Sequence, residues 1–246
     1  PPVCMITPLT LIVLNTRPYR ETSLLVNAYT DVLGRASFVV KGIRTARNRA
    51  AASVFHPLSI LDTRTYLHTK KDLYQLKEYS KIYLLDNICT NVLKSSIGLF
   101  IGELLYKTVK EQEQNPALFR YITQAILQLD GAGEELSDLH LFFTVHLCRF
   151  LGYAPDPESF SPNRIYFDIG AARFREYPDA SGGTFDKEDS LLLHRILTCP
   201  ISEARSLSCS GSRRYHFLNS MLHYYGYHMG KIPEIRSLEV LHQVFL

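Results

Sequence analysis

Apolar and polar positions change period once along this chain, near residue 81. Before that point the apolar residues fall in short, β-rich runs: "TLIVLNT" (10–16), "ETSLLVNAYT" (21–30), "RASFVVKG" (35–42), "PLSILDTRTYLH" (57–68) and "LYQLKEYS" (73–80). Turn chemistry separates them, in "RPYR", "DVLG" and "TKKD". "SILDTRTYL" alternates, which puts Ile60, Asp62, Arg64 and Tyr66 on one face and Leu61, Thr63, Thr65 and Leu67 on the other. Five short strands with no long helix among them predict a small closed barrel. The OB-fold is such a barrel and binds oligonucleotides or oligosaccharides. An SH3-like barrel has the same strand signature, and periodicity does not separate the two. Residues 43–55, "IRTARNRAAASVF", read as the longest loop, between the third and fourth strands.

Beyond residue 81 the step becomes three to four. "LLDNICTNVLKSSIGLFIGELLYKTVKEQEQ" (84–114) reads as one long helical stretch, with Ile97, Phe100, Ile101, Leu104, Leu105 and Thr108 in phase. "NPALFRYITQAILQLDG" (115–131) is a second helix: Asn115 caps it, Pro116 takes its first position and Gly131 ends it. Its buried stripe is Leu118, Phe119, Ile122, Ala125, Ile126 and Leu129. A third helix runs from the Ser137 cap to near Gly152. Residues 155–183 have no helical period and read as a loop carrying a small hairpin, Ile165–Asp168 with Ala172–Arg175. Three more helical patterns, at 185–197, 212–229 and 237–245, complete the chain. The expected class is α+β: a five-stranded OB-fold barrel over residues 1–80, then an α-helical domain with a small β-hairpin insert over 81–246.

Composition narrows this little. The chain has 246 residues, 46% hydrophobic and 21% charged, ordinary for a globular protein of one or two domains. The longest apolar run, "IGLFIGELLY", is cut by Glu103 and falls short of the ~18 residues of a membrane span. No basic segment precedes "CMITPLTLIVL", so no signal peptide is expected, and a cytoplasmic protein with no membrane partner is. The five cysteines are odd in number and form no CxxC pair, which predicts reduced, mostly buried thiols. The net charge of +3 is unevenly spread. Residues 1–80 hold 11 Lys and Arg against 5 Asp and Glu, and the rest of the chain holds 16 against 19. A positive N-terminal third points to a polyanionic partner.

Motifs for catalysis are missing. There is no GxGxxG, no Walker A sequence and no GxSxG elbow. His140 and His146 stand six apart, and His223 and His228 five apart, so neither pair shares a helix face, and no metal or cofactor is expected. Glu103 is a single carboxylate in an apolar helix, which makes no acid–base pair and more often meets a neighbouring cation. The barrel's acids, Glu21, Asp31, Asp62, Asp72 and Glu78, are scattered and give a nuclease little support.

The basic residues carry more. Arg17 and Arg20 flank Pro18 and Tyr19 in the first barrel turn. Arg35, Lys41, Arg44, Arg47 and Arg49 lie on or just past the third strand. Brought to one barrel face, they would neutralise phosphates. Tyr19 and Tyr66 are candidates for base stacking, and Phe38 is assigned to the barrel interior. The competing readings are a solvated basic surface, or a module for RNA or oligosaccharide. In the helical half Arg213, Arg214, Lys231 and Arg236 stand beside apolar stripes, where they would either rim a groove for an acidic peptide or sit as cations near helix ends.

One stretch, "IVLNTRPYRETSLLVNAYTDVLGRASFVVKGIR", resembles the opening of the bacterial recombination mediator family RecO. The shared pattern is an "IVL" strand, Glu21 and Ser23, Tyr29 and Thr30 before Gly34, and Lys41, Gly42 and Arg44. "SSIGLFIGELLYKTVKEQEQNPALFRYITQAILQL" is similar to the family's first two helices, through Ser96, Glu103, Leu104, Asn115, Pro116, Leu118 and Phe119. "FLGYAP" (150–155) and "IRSLEVLHQVF" (235–245) extend the likeness over nearly the whole chain. The resemblance implies an N-terminal OB-fold, a helical C-terminal domain, and binding of single- and double-stranded DNA without nucleotide hydrolysis. It implies annealing of complementary strands, and work with RecR and single-stranded DNA-binding protein to load RecA. The family's DNA surface maps here onto Arg17, Arg20, Lys41 and Arg44, with Arg47 and Arg49 added by proximity. The acidic, Phe-ended tail of single-stranded DNA-binding protein would dock on the helical domain near Arg213, Arg214 or Arg236. One departure stands out. Many relatives carry a four-cysteine zinc module after the "LGY-x-P" helix, whereas residues 155–183 here hold no cysteine, and Cys148 and Cys199 do not replace one.

Overall fold

The structure, a computed structural model, describes residues 5–67, 73–133, 138–199, 207, 209–231 and 234–245; the side chains of Met5, Ala46, Arg49, Ala50 and Leu67 are not among those described. The chain divides into two compact units, Pro1–Gly131 and Ala132–Leu246. The change of period at residue 81 marks where strands give way to helices, while the first compact unit runs on through three helices to Gly131.

Five strands form the first unit's barrel: β1 (Met5–Tyr19), β2 (Ser23–Thr30), β3 (Gly34–Val40), β4 (Ile60–Leu67) and β5 (Tyr74–Lys81). They close in the order β1-β2-β3-β5-β4, with β3 and β5 parallel and the other pairs antiparallel, an OB-fold-like barrel. β1 is far longer than the run 10–16, because it serves two neighbours. Its first half pairs with β4 and its second half with β2, with a register shift between Val13 and Asn15 where it bends. Pro8 and Pro18 lie in the parts of β1 paired on one side only, where a missing N–H is tolerated. Inward positions alternate as the pleat requires. Leu61, Thr63 and Thr65 are buried and Asp62 and Arg64 exposed, and Phe38 is fully buried inside the barrel. The two buried threonines donate their hydroxyls to backbone carbonyls, Thr63 to Leu9 at 2.8 Å and Thr65 to Gln75 at 2.9 Å.

The expected long loop at 43–55 is instead helical. A 3-10 turn (Ala46–Asn48), α1 (Arg49–Ala52) and a second 3-10 turn (Ser53–Phe55) follow one another. Their apolar residues explain it: Ile43 and Phe55 are buried in the barrel core, with Ala51, Ala52 and Val54 packed against it. Phe55 meets Tyr79 edge-on at 4.6 Å.

The expected single helix over 84–114 is also corrected. It is two helices, α2 (Asp86–Thr90) and α3 (Val92–Thr108), broken at Asn91. Asn91 has extended backbone, and its side chain accepts from the Lys94 N–H at 3.1 Å, so it caps α3 rather than continuing α2. α3 ends at Thr108, and residues 109–114 are not helical despite their helix-forming composition. They run past the start of β3, where the Arg35 N–H donates to the Glu111 carbonyl at 2.9 Å. Glu103 pairs with Lys107 one turn on, at 2.6 Å. α4 (Pro116–Gly131) begins as expected, with the Asn115 side chain accepting from the Leu118 N–H at 3.0 Å. Of its stripe, Phe119 is only half-buried, where it stacks with Tyr29 at 6.3 Å.

The second unit holds α5 (Leu139–Leu147), β6 (Tyr166–Asp168), β7 (Arg173–Arg175), α6 (Lys187–Thr198), α7 (Gly211–Met229) and α8 (Ser237–Val244). α5 stops at Leu147 and tightens into a 3-10 turn, Cys148–Phe150, short of Gly152; the Ser137 cap lies outside the described residues. β6 and β7 form the expected hairpin. Phe167 packs edge-on against Phe174 and Phe185 at 5.4 and 5.2 Å. The hydroxyls of Ser190 and Ser159 accept the Phe167 and Phe174 N–H groups at 2.9 and 2.8 Å. Polar side chains of this segment engage each other, Asp156 with Arg173 and Asp168 with Arg175. The thiols differ from expectation. Of the four described, only Cys148 is buried, Cys199 and Cys209 are half-buried, and Cys89 is exposed. Among the described residues no helix is long and apolar enough to cross a membrane.

Candidate nucleic-acid interface

The β1–β2 turn is the hub of the basic cluster. Arg20 sits at φ 52°, a left-handed conformation that costs a non-glycine residue about 1–2 kcal/mol. Arg44 holds the turn in place. Its guanidinium donates to the Arg20 and Glu21 carbonyls at 3.2 and 3.3 Å, and its own N–H donates to the Thr22 carbonyl at 2.9 Å. "KGIR" therefore divides by position. Lys41 is exposed, and Gly42 turns the chain at φ 68° with open space around its α-carbon. Ile43 enters the core, and Arg44 reaches back to the β1–β2 turn. Thr45 and Asn48 both donate side-chain hydrogen bonds to the Gly42 carbonyl, at 3.1 and 2.8 Å, which secures the start of the helical turns.

Beside this hub lies a depression of about 750 Å³ at one end of the barrel. Tyr19, Arg20, Lys41, Tyr66 and Tyr74 line it, together with Glu21, Thr22 and Ser23 from the turn and the start of β2. The Arg20 guanidinium lies 5.4 Å from the Tyr19 ring centre, and the Lys77 ammonium 5.5 Å from that of Tyr66. Cations and half-buried phenol rings thus share one concave surface, the pairing that single-stranded nucleic acid needs: charge for the backbone and flat faces for the bases. Tyr74 was not among the residues expected from sequence. It opens β5 on the same inward face as Leu76, but at the barrel's end, so one side of its ring packs on Phe38 (5.8 Å) while the residue stays half-exposed.

The other candidate residues divide. Arg17 and Arg47 are exposed, on β1 and in the first 3-10 turn, and neither lines the depression. The side chain of Arg49, and the "TKKD" turn, lie outside the described residues. Arg35 is at the wrong end of β3, six residues or roughly 20 Å from Lys41. Its guanidinium donates to the carbonyls of Tyr106 and Val109 at 3.1 and 3.4 Å and lies 4.4 Å from the Tyr106 ring centre. Burial holds its pKa below the ordinary value. Arg35 is thus a tie between barrel and α3, not part of the cluster.

In the second unit, Arg213 and Arg214 are committed to internal acids. Arg213 bridges Asp186 (3.2 Å), Glu188 (2.6 Å) and the buried Asp189. Burial works against its charge, but Asp189, Asp186 and Glu188 together hold its pKa above the ordinary value. Arg214 meets the buried Asp138 at 2.5 Å, and burial still leaves the Asp138 carboxyl raised despite that partner. Asp186, Asp189 and His216 are the one trio of ligand-type side chains found together among the described residues, and the Arg213 guanidinium already occupies the acids' shared side. Arg236 is exposed just before α8. It follows Ile235, which with Leu222, His223, Tyr227, Lys231 and Glu234 lines a separate depression of about 390 Å³.

Comparison with known proteins bears on the whole chain. Residues 5–84 match the family model for the N-terminal part of recombination protein O, and residues 89–239 that for its C-terminal part. The junction falls close to the change of period at residue 81. Proteins named DNA repair protein RecO are similar over nearly their full length. That of Phocaeicola vulgatus is 30% identical over 95% of this chain and 97% of its own. That of Bacteroides fragilis is 28% identical over the same shares, and that of Azobacteroides pseudotrichonymphae 27% over 92% and 94%.

Proposed function

The chain belongs to the RecO family of DNA repair and recombination proteins, and we propose that it acts there as a non-enzymatic mediator that captures DNA strands at the mouth of its N-terminal barrel. The observation that supports this most directly is the joining of Tyr19, Tyr66 and Tyr74 with Arg20 and Lys41 in one depression. Phosphates sit against the cations, and unpaired bases stack on the tyrosines, at about 1–3 kcal/mol for each base that does so. Exposed Arg17 and Arg47 extend the positive surface beyond the depression. Two strands held on one such surface lose most of their mutual repulsion, which favours annealing; the protein supplies charge and position but no bond-breaking step. In this reading the protein binds single- and double-stranded DNA, and with RecR helps load RecA onto DNA coated by single-stranded DNA-binding protein. Arg44 serves by fixing the β1–β2 turn, so its loss disorders the mouth rather than deleting one phosphate contact.

The test is binding of a single-stranded oligonucleotide over a salt series. An Arg17/Arg20/Lys41/Arg47 alanine variant is expected to lower the slope of log affinity against log salt by about 2–3, since each lost phosphate contact on a single strand removes about 0.7. Arg120→Ala, an exposed arginine on α4, is expected to leave the slope unchanged. An unchanged slope in the fourfold variant refutes the proposed surface. Equal or better binding of an oligosaccharide, independent of salt, would favour the other ligand class open to this barrel.

For the tail of single-stranded DNA-binding protein, the docking site in this proposal moves from Arg213 and Arg214 to the depression at Leu222, Tyr227 and Ile235, which Lys231 and Glu234 also line and which exposed Arg236 follows in the chain. Charge reversal at Lys231 and Arg236 is expected to weaken binding of an acidic, Phe-ended peptide by at least about tenfold, as loss of two charge-assisted contacts does. Retention of full affinity by isothermal titration sinks that placement.

A further inference from the structure

A second cavity in the first unit, about 490 Å³, shares no lining residue with the barrel mouth. Ser53, His56, Lys81, Asp86, Cys89 and Leu99 are among the residues that line it, where the turn before β4 meets the end of β5 and helices α2 and α3. Cys89 is exposed, and its Sγ lies 3.4 Å from His56 Nε2. The other ring nitrogen, Nδ1, lies 3.1 Å from the Pro57 carbonyl oxygen. A carbonyl only accepts, so Nδ1 carries the ring proton and the lone pair of Nε2 faces the thiol. Burial, aided by the Lys81 charge, keeps the His56 pKa below its ordinary 6.5, so the ring is neutral and able to accept. The cavity thus joins a nucleophile, a base in the right tautomer and a group that orients the base, with one cation, Lys81, and one acid, Asp86, in its lining.

We infer that Cys89 is a thiol-modification site, with His56 as its base and a low-molecular-weight disulfide as its co-reactant. The thiol proton passes to His56 Nε2 as Sγ attacks one sulfur of the disulfide. The disulfide bond breaks, and the leaving thiolate takes the proton back from His56. Cys89 is left in a mixed disulfide, one thiol is released, and an added thiol reverses the exchange. The other described thiols lack this setting. Cys148 is fully buried with its pKa pushed up to about 12, and burial also raises that of Cys209.

The test uses the full chain with Cys4 replaced by Ser, oxidised glutathione as the probe, and mass-spectrometric peptide mapping over time. Cys89 is expected to take the adduct before Cys199 and Cys209, and faster than it does in the urea-unfolded chain. His56→Gln is expected to slow Cys89 about tenfold, well under the roughly 10²–10⁴ of an enzyme's positioned base, with the rates of Cys199 and Cys209 and the melting temperature unchanged. A Cys89 rate no greater than in the unfolded chain overturns the inference, and so does a folded His56→Gln protein with an unchanged rate. The comparison with the unfolded chain decides the matter even if the variant does not fold.

Discussion

Gly34→Ala is expected to destabilise the first unit by about 2–5 kcal/mol, the sum of a left-handed backbone and a forced overlap. Gly34 has φ 63°. A β-carbon added there would overlap the Glu113 carbonyl oxygen and lie 2.7 Å from that of Glu111. Both are backbone atoms, so no side chain can rotate away. Relief requires residues 109–113 to lift from β3, and that movement breaks the bond from the Arg35 N–H to Glu111. It also disturbs the Arg35 guanidinium's hold on Tyr106 and Val109. Gly42→Ala isolates the backbone part, because Gly42 has φ 68° with nothing near its α-carbon; about 1–2 kcal/mol is expected there. Urea denaturation of both variants measures the difference. Equal losses would show that the close approach of residues 111–113 carries no weight.

The same contact explains where the fold was legible in the sequence and where it was not. Strands β2 to β5 followed from short β-rich runs with turn residues at their ends, and in β4 also from alternation, since only there does a clean buried and exposed face coincide with the sequence pattern. β1 did not, because its prolines are harmless only in a barrel where each end of the strand has a single partner. Residues 109–114 have helix-forming composition, and their long-range meeting with Gly34 and Arg35 goes with a backbone that is not helical. The break at Asn91 left the apolar phase nearly intact, so periodicity ran through it; the visible sign was an asparagine, a poor helix interior and a good cap.

The candidate site was legible in part for a similar reason. Tyr19, Arg20, Lys41 and Tyr66 all lie near strand ends that the barrel brings to one mouth, so closeness to a turn was a usable guide. Arg35 also stands by a turn, but at the opposite end of β3; the antiparallel pairing of Thr30 with Gly34 puts it there. Arg44 was placed at the interface by its family pattern; it is exposed there, and its hydrogen bonds give it a part in the turn's geometry that the pattern did not show. Arg213 and Arg214 looked available because their acids, Asp189 and Asp138, are 24 and 76 positions away in the chain.

The second large effect is the part of the second unit's acid-induced loss of stability that comes from His140; burial also lowers the pKa of His146 and His194, which act in the same direction. His140 is fully buried on α5, with its ring stacked on Phe245 at 5.5 Å. Burial, with the charge of Arg214 added, pushes its pKa down to about 3 from an ordinary 6.5. The unfolded chain therefore takes up a proton below pH 6.5 that the folded chain refuses until about pH 3. Stability from this residue is present above pH 6.5 and falls by about 1.4 kcal/mol per pH unit below it, or about 2 kcal/mol by pH 5. Asp138 works in the opposite direction. Its folded-state pKa is raised by burial, so protonation at lower pH favours the folded form and masks part of the loss. Comparison with His140→Phe at each pH removes that background, and Phe preserves an aromatic ring against Phe245. Hydrogen exchange of the α5 amides is expected to give nearly equal opening free energies for the two proteins at pH 8. At pH 5 the variant should be the more stable by about 2 kcal/mol. A difference that stays constant between pH 8 and pH 5 would show that His140 accepts its proton in the folded state as readily as in the unfolded one.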